Sequence, residues 1–284
     1  MALTDVHEIK ALLERAGFRF SKALGQNFLI ADWVPVQTAE AAGLDGDTGV
    51  LEVGPGVGCL TAELSRRAKK VVSVEKDTAL RPVLAETLRE CGNAEVLFAD
   101  VLKLDLAALA RERFDDCARV AVCANLPYNI TTPLLTAFVR AGCFDSITVM
   151  VQREVALRVC ARENTADYGA FTLLMQWYAV PEKLFDVPPS CFLPPPKVTS
   201  SVLRLARRSA PPVTVGSEKQ MNALIRAAFN QRRKTLCNAM MHGLGLSREQ
   251  ALAALEKAGL DPFVRGEALS LAQFAALSDV LGES

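Results

Sequence analysis

Between residues 49 and 152 the chain alternates short apolar runs with longer helical patterns, and this alternation constrains its fold more than any other feature. Runs at 49–53, 70–75, 94–99, 119–124 and 146–152 read as strands, and helical spacing fills 58–68, 77–91, 103–112 and 131–141. Regular strand–helix alternation needs crossovers that return the chain to the same sheet edge, so a mostly parallel, doubly wound, Rossmann-like α/β sheet is expected. A helix at 6–16 stops at Gly17, and helices at 153–161 and 170–179 precede two late strands at 182–187 and 198–205. The turn between those strands, Pro188 to Lys197, holds five prolines. That density predicts a stiff or lid-like loop without regular structure. A polar, proline-containing connection from Arg207 to Val215 closes the first domain, residues 1–208. Beyond it only helical patterns occur, at 218–231, 233–241, 247–259 and 270–281, which predicts a small all-helical domain over 209–284.

Half of the 284 residues are hydrophobic, enough for two cores and incompatible with global disorder. Asp5, His7, Glu8 and Lys10 exclude the apolar core of a secretory signal there. No apolar run approaches the ~18 residues of a membrane span, so a protein without a membrane role is expected; a cytoplasmic monomer is the further expectation. Eight cysteines are scattered without a C-x-x-C pair and the chain has two histidines. Free thiols in a reducing compartment fit this pattern, and no metal site is indicated. A net charge of zero speaks against a nucleic-acid partner for the chain as a whole. Its distribution does not, because residues 181–240 hold ten Lys or Arg against three acids, a local excess of seven. One such face is enough to hold RNA while the remainder stays acidic.

The segment Leu51-Glu52-Val53-Gly54-Pro55-Gly56-Val57-Gly58 reads as a strand entering a glycine-rich turn, where backbone amides approach a ligand at a helix start. A dinucleotide fingerprint needs glycine at 54, 56 and 59, but position 59 is Cys. The spacing therefore favours a nucleoside cofactor without phosphate, and S-adenosylmethionine fits. Glu75 and Asp100 end the second and third strands, placed for ribose hydroxyls and an adenine amine respectively. Taken singly, Glu52, Glu75 and Asp100 read equally well as helix-capping or solvated turn acids.

Asn125-Leu126-Pro127-Tyr128 follows the apolar run 120–124. The Asn125 side chain and the Leu126 carbonyl are suitable acceptors for an exocyclic amine, Pro127 stiffens the turn, and Tyr128 offers a stacking face worth about 1–3 kcal/mol per base. Adenine N6 is a poor nucleophile because its lone pair is delocalised. Hydrogen bonds accepted from its N–H groups favour the tetrahedral nitrogen that attacks a methyl carbon.

These motifs resemble the KsgA (RsmA) family of small-subunit rRNA adenine N6,N6-dimethyltransferases. The resemblance also covers Lys22-Ala23-Leu24-Gly25-Gln26-Asn27-Phe28-Leu29, the run NLPYNITTP from Asn125 to Pro133, Phe192-Leu193-Pro194-Pro195-Pro196-Lys197-Val198, and Asn230-Gln231-Arg232-Arg233-Lys234-Thr235-Leu236. It implies a class I S-adenosylmethionine-dependent methyltransferase domain, with S-adenosylhomocysteine as product, joined to an RNA-binding helical domain. It further implies that Asn27, Leu29, Gly54 and Gly56 surround the cofactor, that Glu75 holds the ribose and Asp100 the adenine. Asn125, Leu126, Pro127 and Tyr128 would form the reacting zone, with Phe192 as a second aromatic opposite Tyr128. Arg232, Arg233 and Lys234 would hold 16S rRNA within an assembling small subunit. By residue type alone, Phe192 reads equally as a core anchor, Gln26-Asn27 as a capping turn, and Arg232-Arg233-Lys234 as a solvated helix face. The competing readings are an Erm-type large-subunit rRNA methyltransferase, which shares these motifs, and an assembly factor that kept the fold without catalysis.

Overall fold

The computed structural model describes residues 3–20 and 25–282; Lys22, Ala23 and Leu24 of the first motif lie outside the described residues. The strands are β1 (Phe28–Leu29), β2 (Thr48–Val53), β3 (Lys70–Glu75), β4 (Ala94–Phe98), β5 (Arg119–Asn125), β6 (Ser146–Gln152), β7 (Ala179–Val187), β8 (Phe192–Leu193) and β9 (Ser200–Arg207). Seven of them form one sheet in the order β4-β3-β2-β5-β6-β9-β7. The pairs β3–β4, β2–β3, β2–β5 and β5–β6 are parallel, whereas β9 runs antiparallel to both β6 and β7. All six residues of β2 are buried, as a central parallel strand covered on both faces requires. The chain enters at β2, builds outward through β3 and β4, then returns to β5 on the other side of β2. That reversal is the topological switch point, and the crevice beyond the ends of β2 and β5 is where such sheets hold ligands.

The chain divides into two compact units, residues 1–156 with 179–207 and residues 157–178 with 208–284. The second stretch of the helical unit differs little from the expected boundary, but 157–178 belongs with it rather than with the sheet. The reason is hydrophobic: Tyr168, Leu173 and Trp177 pack in one core with Leu224, Leu236 and Phe274, and the Tyr168 hydroxyl donates to the Leu269 carbonyl at 2.7 Å. The helices of this unit are Ala170–Tyr178, Glu218–Asn230, Leu236–Leu244, Arg248–Lys257 and Leu271–Gly282. Ser217, Thr235 and Ser247 cap three of them through side-chain oxygens.

Two elements depart from the expectation. Trp33–Ala41 is a helix whose weak apolar periodicity and internal Pro35 conceal it, although proline is tolerated in a first turn. The proline loop also carries regular structure. Pro189–Cys191 forms a 3-10 turn, and Phe192–Leu193 pairs antiparallel with Phe28–Leu29 as a two-stranded sheet. The Ile30 N–H extends this pairing by donating to the Cys191 carbonyl at 2.8 Å. No helix among the described residues is long and apolar enough to cross a membrane.

Candidate active site

A cleft of about 1100 Å³, its open mouth included, lies at the switch point. Its walls are the segment 25–29, the glycine turn after β2, the ends of β3 and β4, and Asn125–Ile130 after β5. Gly54 and Gly56 have φ of +71° and +60°, a left-handed conformation that a side chain would strain. A Cβ at Gly56 would also meet the Phe28 ring at 3.0 Å. The turn is thus built to bring backbone to the cleft floor.

The deep end carries the acids. Glu52 is 1 % exposed and accepts from Thr61 Oγ1 at 2.6 Å and Ser73 Oγ at 2.5 Å. Burial pushes its carboxyl up to about 7 despite those two donors, with Glu75 adding a smaller push. Glu75 is 6 % exposed and accepts from the Asp77 N–H at 2.7 Å. Its carboxyl is also raised by burial, opposed by backbone N–H groups of Asp77, Lys76 and Gly56. Asp100 caps a 3-10 turn by accepting from the Leu102 N–H at 3.2 Å, and Lys76 Nζ lies 3.0 Å from its Oδ2. The Lys76 hydrogen bond holds the Asp100 carboxyl below its ordinary value. Each acid does cap or brace local structure, as the plain reading allowed, yet all three also line the one cleft.

The other end is neutral. Asn125 Nδ2 faces the Asn27 carbonyl at 3.5 Å, which leaves the Asn125 side-chain oxygen as an acceptor. The Leu126 side chain is buried and its N–H donates to the Met150 carbonyl at 3.1 Å, fixing the turn to β6. The Pro127 carbonyl accepts from the Ile130 N–H and from Thr131 Oγ1 at 3.2 and 3.0 Å. The Tyr128 hydroxyl shares a 2.6 Å hydrogen bond with the Ser200 hydroxyl, which is fully buried in β9. Burial raises the Tyr128 phenol, so it stays neutral, with the ring held at both ends. A Cβ built on Gly54 would stand 3.9 Å from the Asn125 carbonyl and from the Pro127 ring, so the glycine turn and the Asn125–Tyr128 turn face one another closely.

The structure brings together Asn27, Leu29, Gly54, Gly56, Glu75, Asp100 and Asn125–Tyr128 around the cleft. Phe192 is not among the lining residues. It is 2 % exposed and packs with Leu29, Val34, Met150 and Val202, as the core-anchor reading expects. Arg232, Arg233 and Lys234 sit in the turn between two helices, not on a helix face. Arg232 is further committed to the fold, with Nε 3.0 Å from Glu267 Oε2 and Nη2 3.1 Å from the Thr165 carbonyl. Arg233 and Lys234 are exposed.

Several contributors escaped the sequence reading. Ser200 is a polar residue inside an apolar strand pattern, which was its only signal. Gln26 Nε2 reaches Asp77 Oδ2 at 2.7 Å, tying the segment over the cleft to the turn after β3. Lys76, next to Glu75 in the chain, pairs with Asp100 at 3.0 Å, and nothing in the sequence pattern marks it.

The sheet order and this cleft define a class I methyltransferase domain with a helical C-terminal part. Residues 17–282 match the family model described as ribosomal RNA adenine dimethylase. A curated protein of Geobacillus thermodenitrificans named ribosomal RNA small subunit methyltransferase A is 45% identical over 276 residues, 96% of this chain and 94% of that protein. One of the same name from Clostridium perfringens is 45% identical over 284 residues, 99% of this chain and 98% of that protein. Among solved structures, the 23S rRNA methyltransferase ErmE aligns with a TM-score of 0.68 and 29% identity over 90% of this chain and all of that one. A Plasmodium falciparum dimethyladenosine transferase aligns with a TM-score of 0.73 and 24% identity over 88% and 95%, which shows the shared fold. The chain belongs to the ribosomal RNA adenine dimethylase family, and is an rRNA adenine methyltransferase.

Proposed function

We propose that this enzyme transfers methyl groups from S-adenosylmethionine to N6 of two adjacent adenosines in the 3′-terminal hairpin loop of 16S rRNA, on the assembling small subunit in the cytoplasm. The observation that carries this reading is the Asn125–Tyr128 turn, rigidly held against the glycine turn at the switch point. The small-subunit assignment is supported by the names of relatives 45% identical over almost the whole chain.

The cleft fits the cofactor's chemistry. Its floor has two buried carboxyl groups and glycine backbone, a surface for hydroxyls rather than for phosphate. Glu75 would hold the ribose and Asp100 the adenine amine, while Asn27, Leu29 and Gly54 enclose the opposite end. When bound, S-adenosylmethionine supplies an electrophilic methyl carbon. The Asn125 oxygen and the Leu126 carbonyl accept from the N6 amine and bias it towards a tetrahedral shape. Tyr128 stacks on the base, and its bond to Ser200 sets the plane in which the base lies. Alignment at about 3–3.5 Å supplies much of the acceleration. No protein base is required, because the methylated cationic amine loses its proton readily to water. Loop bases are largely unstacked already, which lowers the cost of drawing one into the cleft.

Purified protein incubated with labelled S-adenosylmethionine and undermethylated small or large subunits tests this, followed by digestion and identification of the labelled nucleoside. Label as dimethyladenosine in the small-subunit 3′ hairpin is expected. Label confined to large-subunit rRNA would place the enzyme with ErmE in substrate choice. Tight small-subunit binding without label would leave an assembly factor.

A further inference from the structure

Phe263, in the helical unit, is 77 % exposed, well beyond Val180 at 49 %, the next most exposed large hydrophobic among the described residues. A single surface phenylalanine is ordinary, but this one is displayed by a rigid turn. The Phe263 N–H donates to Asp261 Oδ1 at 2.7 Å and the Val264 N–H to the Asp261 carbonyl at 3.0 Å. Val264 packs on the helical core. Its carbonyl accepts from the Leu236 N–H at 2.7 Å, which joins this turn to the basic turn 231–235. Glu267 fastens the same junction, lying 3.0 Å from Arg232 and 4.0 Å from Arg265. Lys234 is two residues from Leu236, so its backbone lies within about 7 Å of the junction. Of the acids on the two turns, Asp261 is occupied by the Phe263 N–H and Glu267 by two arginines. Arg233 and Lys234 are exposed and form no ion pair among the described residues.

An exposed ring on a hydrogen-bonded turn, beside unpaired cations, is an arrangement that holds a single-stranded nucleotide, the ring taking the base and the cations the flanking phosphates. We propose that the 261–265 turn is a stacking platform for an unpaired rRNA nucleotide, with Phe263 as the platform and Arg233 and Lys234 as its phosphate contacts. This rests on the rRNA-methylating reading above and adds a base contact to a surface that charge alone would make sequence-blind.

The test uses the full-length protein and undermethylated small subunits. Phe263→Ala is expected to weaken subunit binding about tenfold, the loss of one base stack. Cofactor affinity and the slope of log K against log salt should not change, because the ring carries no charge. Phe263→Trp should bind as tightly as the parent, while Arg233→Gln with Lys234→Gln should flatten the salt slope by about two. A photocrosslinking residue at position 263 should label rRNA. Unchanged binding by Phe263→Ala, or crosslinking to a ribosomal protein alone, overturns the platform. A parent protein that neither binds nor methylates small subunits would instead sink the functional reading itself.

Discussion

The two ends of the cleft are built from opposite chemistry. At the deep end Glu52, Glu75 and Asp100 present carboxyls already braced by hydroxyls, backbone N–H groups or Lys76. At the other end Asn125, Leu126 and Tyr128 present only neutral groups, each fixed by a bond to another strand or segment. On the proposed reading, the acids face the cofactor and the neutral acceptors face the amine.

The largest effect expected to test this division is Asn125→Ala. Removal of one preorganised hydrogen-bonding group should lower kcat by about 10²–10³ with little change in cofactor affinity, measured by single-turnover methylation and equilibrium binding. Equal loss of both would erase the distinction between the ends. Next is Glu52→Gln, read by denaturation across pH. The folded-state carboxyl titrates at about 7, against an ordinary value of 4.5. The folded protein keeps a proton that the unfolded chain gives up, so stability falls as pH rises from 4.5 to 7 and is flat above. That gap is about 3 kcal/mol. Glu52→Gln should remove it, gaining on the parent by that amount between pH 4.5 and pH 8. An unchanged pH profile would show that Glu52 is not the titrating group.

Glu75→Ala should weaken cofactor binding about 10- to 100-fold, the range for a hydrogen bond to a charged group, with kcat at saturation little altered. The smallest effect belongs to Ser200→Ala, which strands a half-buried phenol at a cost of about 1–3 kcal/mol. It should raise the KM for subunits several-fold and leave cofactor affinity intact. Adding Tyr128→Phe removes the stranded hydroxyl and should recover part of the loss. No recovery would show that Ser200 acts through something other than the ring.

The parallel strands were legible because each is a short apolar run closed by a glycine or a polar residue, and position at a strand end was enough to pick out Glu75, Asp100 and Asn125. What the sequence concealed was non-local. The pairing of Phe192 with Leu29 and its place in the core are not visible in its motif. Ser200 lies 72 residues from the tyrosine it holds. Segment 157–178 reads as part of the sheet domain by position, and only the placement of Tyr168 and Trp177 among apolar helices assigns it to the other unit. Arg232 looked like a phosphate ligand because charge is visible in a sequence, whereas its anchorage by Glu267 and Thr165 is not.

The bond from Tyr128 to Ser200 also sets an order of events during synthesis. The glycine turn, Glu75 and the Asn125 turn all belong to the first five strands, β1 to β5, and leave the ribosome early. The strand that holds the tyrosine hydroxyl is the last of those described and lies between β6 and β7. A nascent chain stopped before β9 therefore lacks the hydroxyl that fixes the tyrosine.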